Sequence, residues 1–103
     1  MSKIEDWNKE LTQEEKETYA DMYIEQMEEN WLNGEPYQAY THVAKDICRE
    51  SGCKIMHALD ITKLIAKTHR KRLEDMDYTI TKEGGFYIAR EAFAEARKTE
   101  GSG

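Results

Sequence analysis

Residues 12–34 constrain the fold most, because they carry both ends and one apolar face of a long helix. Thr12 and Glu15 have the spacing of a capping box, in which each side chain accepts a hydrogen bond from the other residue's backbone amide. Apolar residues then recur every three or four positions, at Tyr19, Met22, Tyr23, Met27 and Trp31. Asn33-Gly34 supplies a helix stop. The pattern therefore predicts a helix over residues 13–32.

Three more helices are predicted, over residues 36–50, 54–59 and 61–76. Pro36 suits the first turn of the first of them, because its missing N–H is not needed there. After Lys54 the regular spacing of apolar residues is interrupted, since those before and after Asp60 would lie on different faces of one helix. Asp60 itself could cap a new helix. Within residues 60–77 two alternatives stay open. The segment is either one helix or two helices that flank a tight turn at Ala66-Lys67-Thr68.

After Asp77 the apolar period becomes two, which is typical of strands, and Lys82-Glu83-Gly84-Gly85 provides a turn. A β-hairpin is predicted over residues 78–88, followed by a last amphipathic helix over 90–98. Residues 1–11 are interpreted as an N-terminal arm, 12–98 as a single domain and 99–103 as a tail. The predicted fold is mainly α with one small β-hairpin, in a compact helical domain.

Length and composition favour one small domain with a thin core. The chain has 103 residues, 39% of them hydrophobic and 35% charged, against a usual charged fraction of about a quarter. No apolar run is long enough for a membrane span, and the N-terminus lacks the pattern of a signal peptide. Cys48 and Cys53 are interpreted as free thiols, because a bridge between them would close a very short loop. These features predict a cytoplasmic protein.

Charge is distributed unevenly along the chain. The formal net charge is -6, yet residues 1–39 carry -8 and residues 40–103 carry +2. The basic residues that could contact phosphates lie in the segment predicted as helical over 61–76 and in the hairpin turn. They are Lys63, Lys67, His69, Arg70, Lys71, Arg72 and Lys82. Helix, tight turn, helix and hairpin is also the order of a winged helix-turn-helix. The pattern predicts DNA binding, and the alternative is an exposed basic face that balances the acidic first helix.

Particular residues in this segment also match a known pattern. Lys67, His69, Leu73, Asp75 and Met76 occur in the order found in the phage regulatory Rha and antirepressor families, which residues 60–84 resemble. Thr62 and Ala66 depart from the Ala and Gly that are usual there. The resemblance implies DNA binding in a phage or prophage setting. Arg70, Lys71 and Arg72 would then face DNA, with Lys67 and His69 at the turn.

A second hypothesis is a small inhibitor that binds a host enzyme or defence complex. Its candidate surface is an acidic row on the first helix, formed by Glu14, Glu17, Asp21, Glu25 and Glu28. The aromatic stripe of that helix also suggests a homodimer. Neither hypothesis involves catalysis or a cofactor. The possible metal ligands Cys48, Cys53, His57 and His69 fit no zinc spacing.

Overall fold

A computed structural model of the chain describes residues 7–88. It contains four helices and two strands: α1 (Gln13–Leu32), α2 (Tyr40–Ser51), α3 (Ile55–Thr68), α4 (Arg70–Asp75), β1 (Tyr78–Ile80) and β2 (Phe86–Ile88). The prediction of a mainly helical domain with one β-hairpin is confirmed. The helix predicted over 90–98 and the tail over 99–103 lie outside the described residues.

The first helix begins at its capping box, as predicted. Thr12 Oγ1 accepts a hydrogen bond from the Glu15 amide at 3.1 Å, and Glu15 Oε1 accepts one from the Thr12 amide at 2.9 Å. The helix ends at Leu32, and Gly34 takes the left-handed conformation that the stop requires. Met22 is 53% exposed, so its predicted place in the apolar stripe is wrong, whereas Tyr23 and Met27 are buried.

The second helix begins at Tyr40, four residues later than predicted. Residues 36–39 are not helical, and three contacts join this segment to the hairpin. The Ile88 amide donates to Gln38 O at 2.9 Å, Ala39 forms a bridge with Tyr87, and the Tyr78 hydroxyl donates to Tyr37 O. These tertiary hydrogen bonds outweigh the local preference of Pro36 for a helix start.

The predicted helix break at Asp60 is wrong, because α3 runs through it without interruption. This helix packs against both α1 and α2, and its residues beyond Asp60 contribute to the core. Asp60 pairs with Lys16 of α1 at 2.9 Å rather than capping a helix. The break lies at His69, one residue beyond the predicted turn at 66–68, and a six-residue helix follows it.

The hairpin pairs β1 with β2 antiparallel, in the register Tyr78↔Ile88, Thr79↔Tyr87 and Ile80↔Phe86. It packs on α4 through β1. At the other end of the domain the Lys9 amide donates to Gly52 O at 2.9 Å, and the Lys54 amide donates to Lys9 O at 3.1 Å. Leu11 is buried, so residues 9–11, predicted as part of an arm, belong to the domain.

Candidate nucleic-acid interface

Two of the predicted phosphate-binding residues contact α1: Arg72, which follows the helix break, and His69, which lies at it. Arg72 makes a two-pronged pair with Glu28, in which Nε donates to Oε2 at 3.0 Å and Nη2 donates to Oε1. Hydrogen bonding from Arg72 lowers the pKa of the Glu28 carboxyl, and the same contact raises the pKa of Arg72. His69 Nε2 lies 2.9 Å from Asp21 Oδ1. The basic segment and the acidic row, predicted as separate surfaces, therefore contact each other.

The seven predicted phosphate-binding residues separate into two groups. His69, Arg70 and Arg72 each face a carboxylate, Arg70 through Glu74 at 3.5 Å. The other four are exposed lysines, and no carboxylate among residues 7–88 lies within 4.0 Å of any of them: Lys63, Lys67, Lys71 and Lys82. Three of these four lysines lie on α3 and the hairpin turn, and Lys71 lies on α4.

Lys63 and Lys67 are one turn apart on α3, and both line a shallow groove of about 350 Å³ with Gln13, Asp60 and Leu64. The hairpin turn lies against the first of them. A Cβ atom placed on Gly84 would be 3.2 Å from Lys63 Cγ, so the turn backbone packs on this lysine's aliphatic stem. Lys82 belongs to the same turn and is exposed. We call Lys63, Lys67 and Lys82 the lysine face.

A half-open cleft of about 460 Å³ lies on the other side of Lys63. Its lining residues come from α2, α3 and the hairpin: Tyr40, Leu59, Thr62, Lys63, Thr81, Glu83, Gly84 and Gly85. A Cβ on Gly85 would lie only 3.0 Å from Tyr40 Cε1, so glycine allows the turn to approach the ring closely. The sequence explains Gly84-Gly85 by the turn alone, and nothing in its local pattern indicates that the turn also forms a cleft.

The acidic row is partly occupied by these internal pairs. Asp21 and Glu28 face His69 and Arg72, while Glu14, Glu17 and Glu25 are exposed. No cationic side chain among residues 7–88 lies within 4.0 Å of these last three.

The aromatic stripe of α1 is used inside the domain. Tyr23 is 4% exposed, and Trp31 packs against the core. The burial of Tyr23 leaves less of this stripe for the predicted homodimer contact, which stays a prediction.

Glu10 fastens the segment before α1 to the start of α3. Its Oε1 accepts a hydrogen bond from Lys54 Nζ, and its Oε2 lies 2.7 Å from His57 Nε2. These two contacts, that with Lys54 first, lower the pKa of Glu10 to about 2. The N-terminal segment is therefore held by an ion pair as well as by its two backbone hydrogen bonds.

We expect Glu10→Gln to flatten the dependence of folding stability on acid pH. The pKa of Glu10 is about 2 in the folded protein against an ordinary 4.5. Its ionised form therefore stabilises the fold fully above about pH 4.5, and this contribution is lost as the pH falls towards 2. Urea unfolding at several pH values should show a deficit of the variant at pH 6 that disappears near pH 2. Because Glu10 is exposed, the deficit should be small and should shrink in added salt.

Glu29→Gln is the matched control, since Glu29 is an exposed carboxylate with no cation within 4.0 Å among residues 7–88. Its pH profile should stay parallel to that of the unchanged protein. A Glu10→Gln profile that also stayed parallel would contradict the pairing of Glu10 with Lys54 and His57.

The remaining candidate ligands do not form a centre. Cys48 and Cys53 are both buried as free thiols, and burial, with Cys53 beside it, raises the pKa of Cys48 to about 12. Within residues 7–88, no three His, Cys, Asp or Glu side chains come together in a way that could hold a metal ion.

Within the same residues, no helix is both long and apolar enough to cross a membrane.

The fold and the lysine face together define a small helical domain with a basic edge formed by α3 and a hairpin turn. No protein-family model matches the chain, and neither a curated protein nor a solved structure shows significant similarity to it.

Proposed function

We propose that this protein binds nucleic acid through the lysine face, as a non-enzymatic regulator of the phage type that residues 60–84 resemble. The carrying observation is that exposed lysines on α3 and on the adjoining hairpin turn have no carboxylate within 4.0 Å among the described residues. Such ammonium groups are available to neutralise phosphates and release their counterions. The helix break at His69, followed by α4 and the hairpin, also fits the element order of a winged helix.

The proposed mode of contact differs from that of a helix-turn-helix that reads bases. Such a motif joins its helices by a turn of three or four residues and lays the second helix in the major groove. Here one residue separates the helices, α4 has six residues, and Arg72 is held by Glu28. We therefore propose that α3 and the hairpin turn contact the phosphate backbone of the nucleic acid. Sequence-specific contact by α4 is not proposed.

The net charge of -6 sets the conditions under which binding is expected. Acidic residues elsewhere repel the same phosphates that the lysine face attracts, and salt screens both effects over about 10 Å at 0.1 M. Lys63 and Lys67 would contact a phosphate directly, and the carboxylate of Asp60, which lines the same groove, is paired with Lys16. Binding should be detectable near 50 mM salt and should weaken steeply above it.

The test is the double substitution Lys63→Gln with Lys67→Gln. Removing two phosphate contacts should lower affinity for a duplex at least tenfold near 50 mM salt, and should reduce the slope of log affinity against log salt by roughly 2. Fluorescence anisotropy of a labelled duplex, titrated at several salt concentrations, measures both. The matched control is Lys9→Gln with Lys45→Gln, which removes the same charge from exposed lysines on the N-terminal segment and α2.

The control pair should change affinity only slightly and should leave the salt slope close to that of the unchanged protein. Equal losses in the two double variants would mean that overall charge matters and the lysine face does not. Absence of any complex with either a duplex or a single strand at 50 mM salt would overturn the proposal.

A second candidate is docking on a basic surface of another protein through α1. It is favoured by the exposed carboxylates Glu14, Glu17 and Glu25 together with Met22, which is 53% exposed and one turn from Glu25. An apolar side chain among charges is a common centre for a protein interface. The same titration separates the candidates, because this one expects no complex with any duplex and no effect of the lysine substitutions.

A further inference from the structure

The cleft beside Lys63 combines features that suit a nucleobase attached to a phosphate. The Tyr40 ring and Leu59 provide apolar walls, and the backbone of Gly84-Gly85 forms the floor. Lys63 and Glu83 bring opposite charges to the same opening. A flat ring can lie against such walls, an ammonium group can hold the phosphate, and a carboxylate can accept N–H groups from the base edge.

The volume and the exposure of the cleft are compatible with a ligand of this size. About 460 Å³ falls within the range of small-molecule sites, and the cleft lies beside the groove that Lys67 lines. Lys63 lines both, so one side chain connects the cleft to the phosphate-binding groove. A strand that follows the lysine face would therefore pass the mouth of the cleft.

Two hydrogen bonds hold the glycine turn that lines the cleft. The Gly85 amide donates to Thr81 Oγ1 at 3.0 Å, and the Thr81 amide donates to Gly85 O at 2.8 Å. The ring of Tyr40 is also held, because it packs edge-on against the buried Phe86 at a centroid distance of 6.2 Å. A preformed site loses less conformational entropy on binding than a flexible one.

We propose that this cleft receives one unstacked base of a bound strand while Lys63 and Lys67 hold the flanking phosphates. This inference rests on the proposed function, and it specifies which form of nucleic acid the protein should prefer. A base inside a duplex cannot enter a side cleft without leaving the stack, so the preferred ligand is single-stranded or locally open.

Glu83 gives the cleft a chemical preference among bases. Its carboxylate accepts hydrogen bonds only, and cytosine, adenine and guanine carry exocyclic amino groups that can donate to it. Thymine has no amino group. The cleft should therefore favour cytosine over thymine, two pyrimidines of similar size.

The test compares oligodeoxycytidine, oligothymidine and a mixed-sequence duplex, each of about 12 nucleotides, by fluorescence anisotropy near 50 mM salt with the whole chain. Oligodeoxycytidine should bind about fivefold more tightly than oligothymidine, the effect expected of one solvent-exposed hydrogen bond of ordinary net strength, and more tightly than the duplex. Glu83→Ala should bring the ratio of the two single-strand affinities close to one. Because Glu83 is exposed on a turn, this variant should remain folded, as circular dichroism would check.

Glu29→Ala is the matched control, since it removes one exposed carboxylate from α1. It should raise both single-strand affinities slightly and leave their ratio unchanged. A ratio near one in the unchanged protein, a ratio that survives Glu83→Ala, or a preference for duplex would overturn the cleft assignment. Dependence on Lys63 and Lys67 would still support the proposed function in those cases. Failure of every probe to bind would overturn both.

Discussion

Replacing Phe86 by alanine should lower the free energy of unfolding by about 3–5 kcal/mol, the usual cost of truncating a buried phenylalanine. Phe86 is fully buried, and its ring meets Tyr78 edge-on at 5.6 Å and Tyr40 at 6.2 Å. Edge-to-face contacts of this kind add about 0.5–1.5 kcal/mol to the burial of the ring itself. Since Tyr40 belongs to α2 and Tyr78 to β1, this one side chain joins the hairpin to the helices.

Urea unfolding followed by circular dichroism measures this loss. The control is Tyr87→Ala, which truncates the neighbouring aromatic on the opposite face of β2, where Tyr87 is 47% exposed. We expect the control to cost under about 1 kcal/mol. Similar costs for the two variants would show that the hairpin does not pack on the helices through the Phe86 face.

Elements whose ends are determined locally could be predicted from the sequence. The hydrogen bonds that start α1 join Thr12 and Glu15, which are three residues apart, so the capping box is visible without knowledge of the fold. The hairpin is likewise encoded by alternation on either side of a glycine turn. In both cases the interactions that decide the structure lie within a few residues.

Elements whose ends depend on distant partners could not be predicted. Pro36 favours a helix start, yet the next three residues are not helical, because they bond β2, which follows about fifty positions later. The spacing of apolar residues changes at Asp60, which resembles the end of a helix. A helix that packs against two other helices shows a similar local pattern, because it buries residues on two faces. Only the positions of α1 and α2 distinguish them.

The candidate site was predictable as a set of charges but not as an arrangement. A sequence shows that Arg72 is basic and Glu28 acidic, but their contact spans 44 positions. The same holds for His69 and Asp21, which are 48 positions apart. Which cations remain available to a ligand depends on such pairings, and this is why the proposed contacts move from α4 to α3.

Replacing Leu73 by alanine should lower the free energy of unfolding by about 2–5 kcal/mol. Leu73 is fully buried and is the one buried side chain within α4. A six-residue helix is far too short to be stable alone, so α4 must be held by its tertiary contacts. The pairs of His69 and Arg72 with α1 are partly exposed and should contribute about 0–1 kcal/mol each, less than the buried leucine.

Lys71→Ala provides the control, because it shortens the adjacent exposed side chain of α4 without touching the core. Chemical unfolding should show a small change for this variant, and hydrogen exchange should show faster exchange of the α4 amides in Leu73→Ala alone. If Leu73→Ala cost no more than Lys71→Ala, the ion pairs would have to hold α4. In that case high salt should release the helix. If packing of Leu73 holds α4, the exchange rates of the α4 amides should stay the same in high salt.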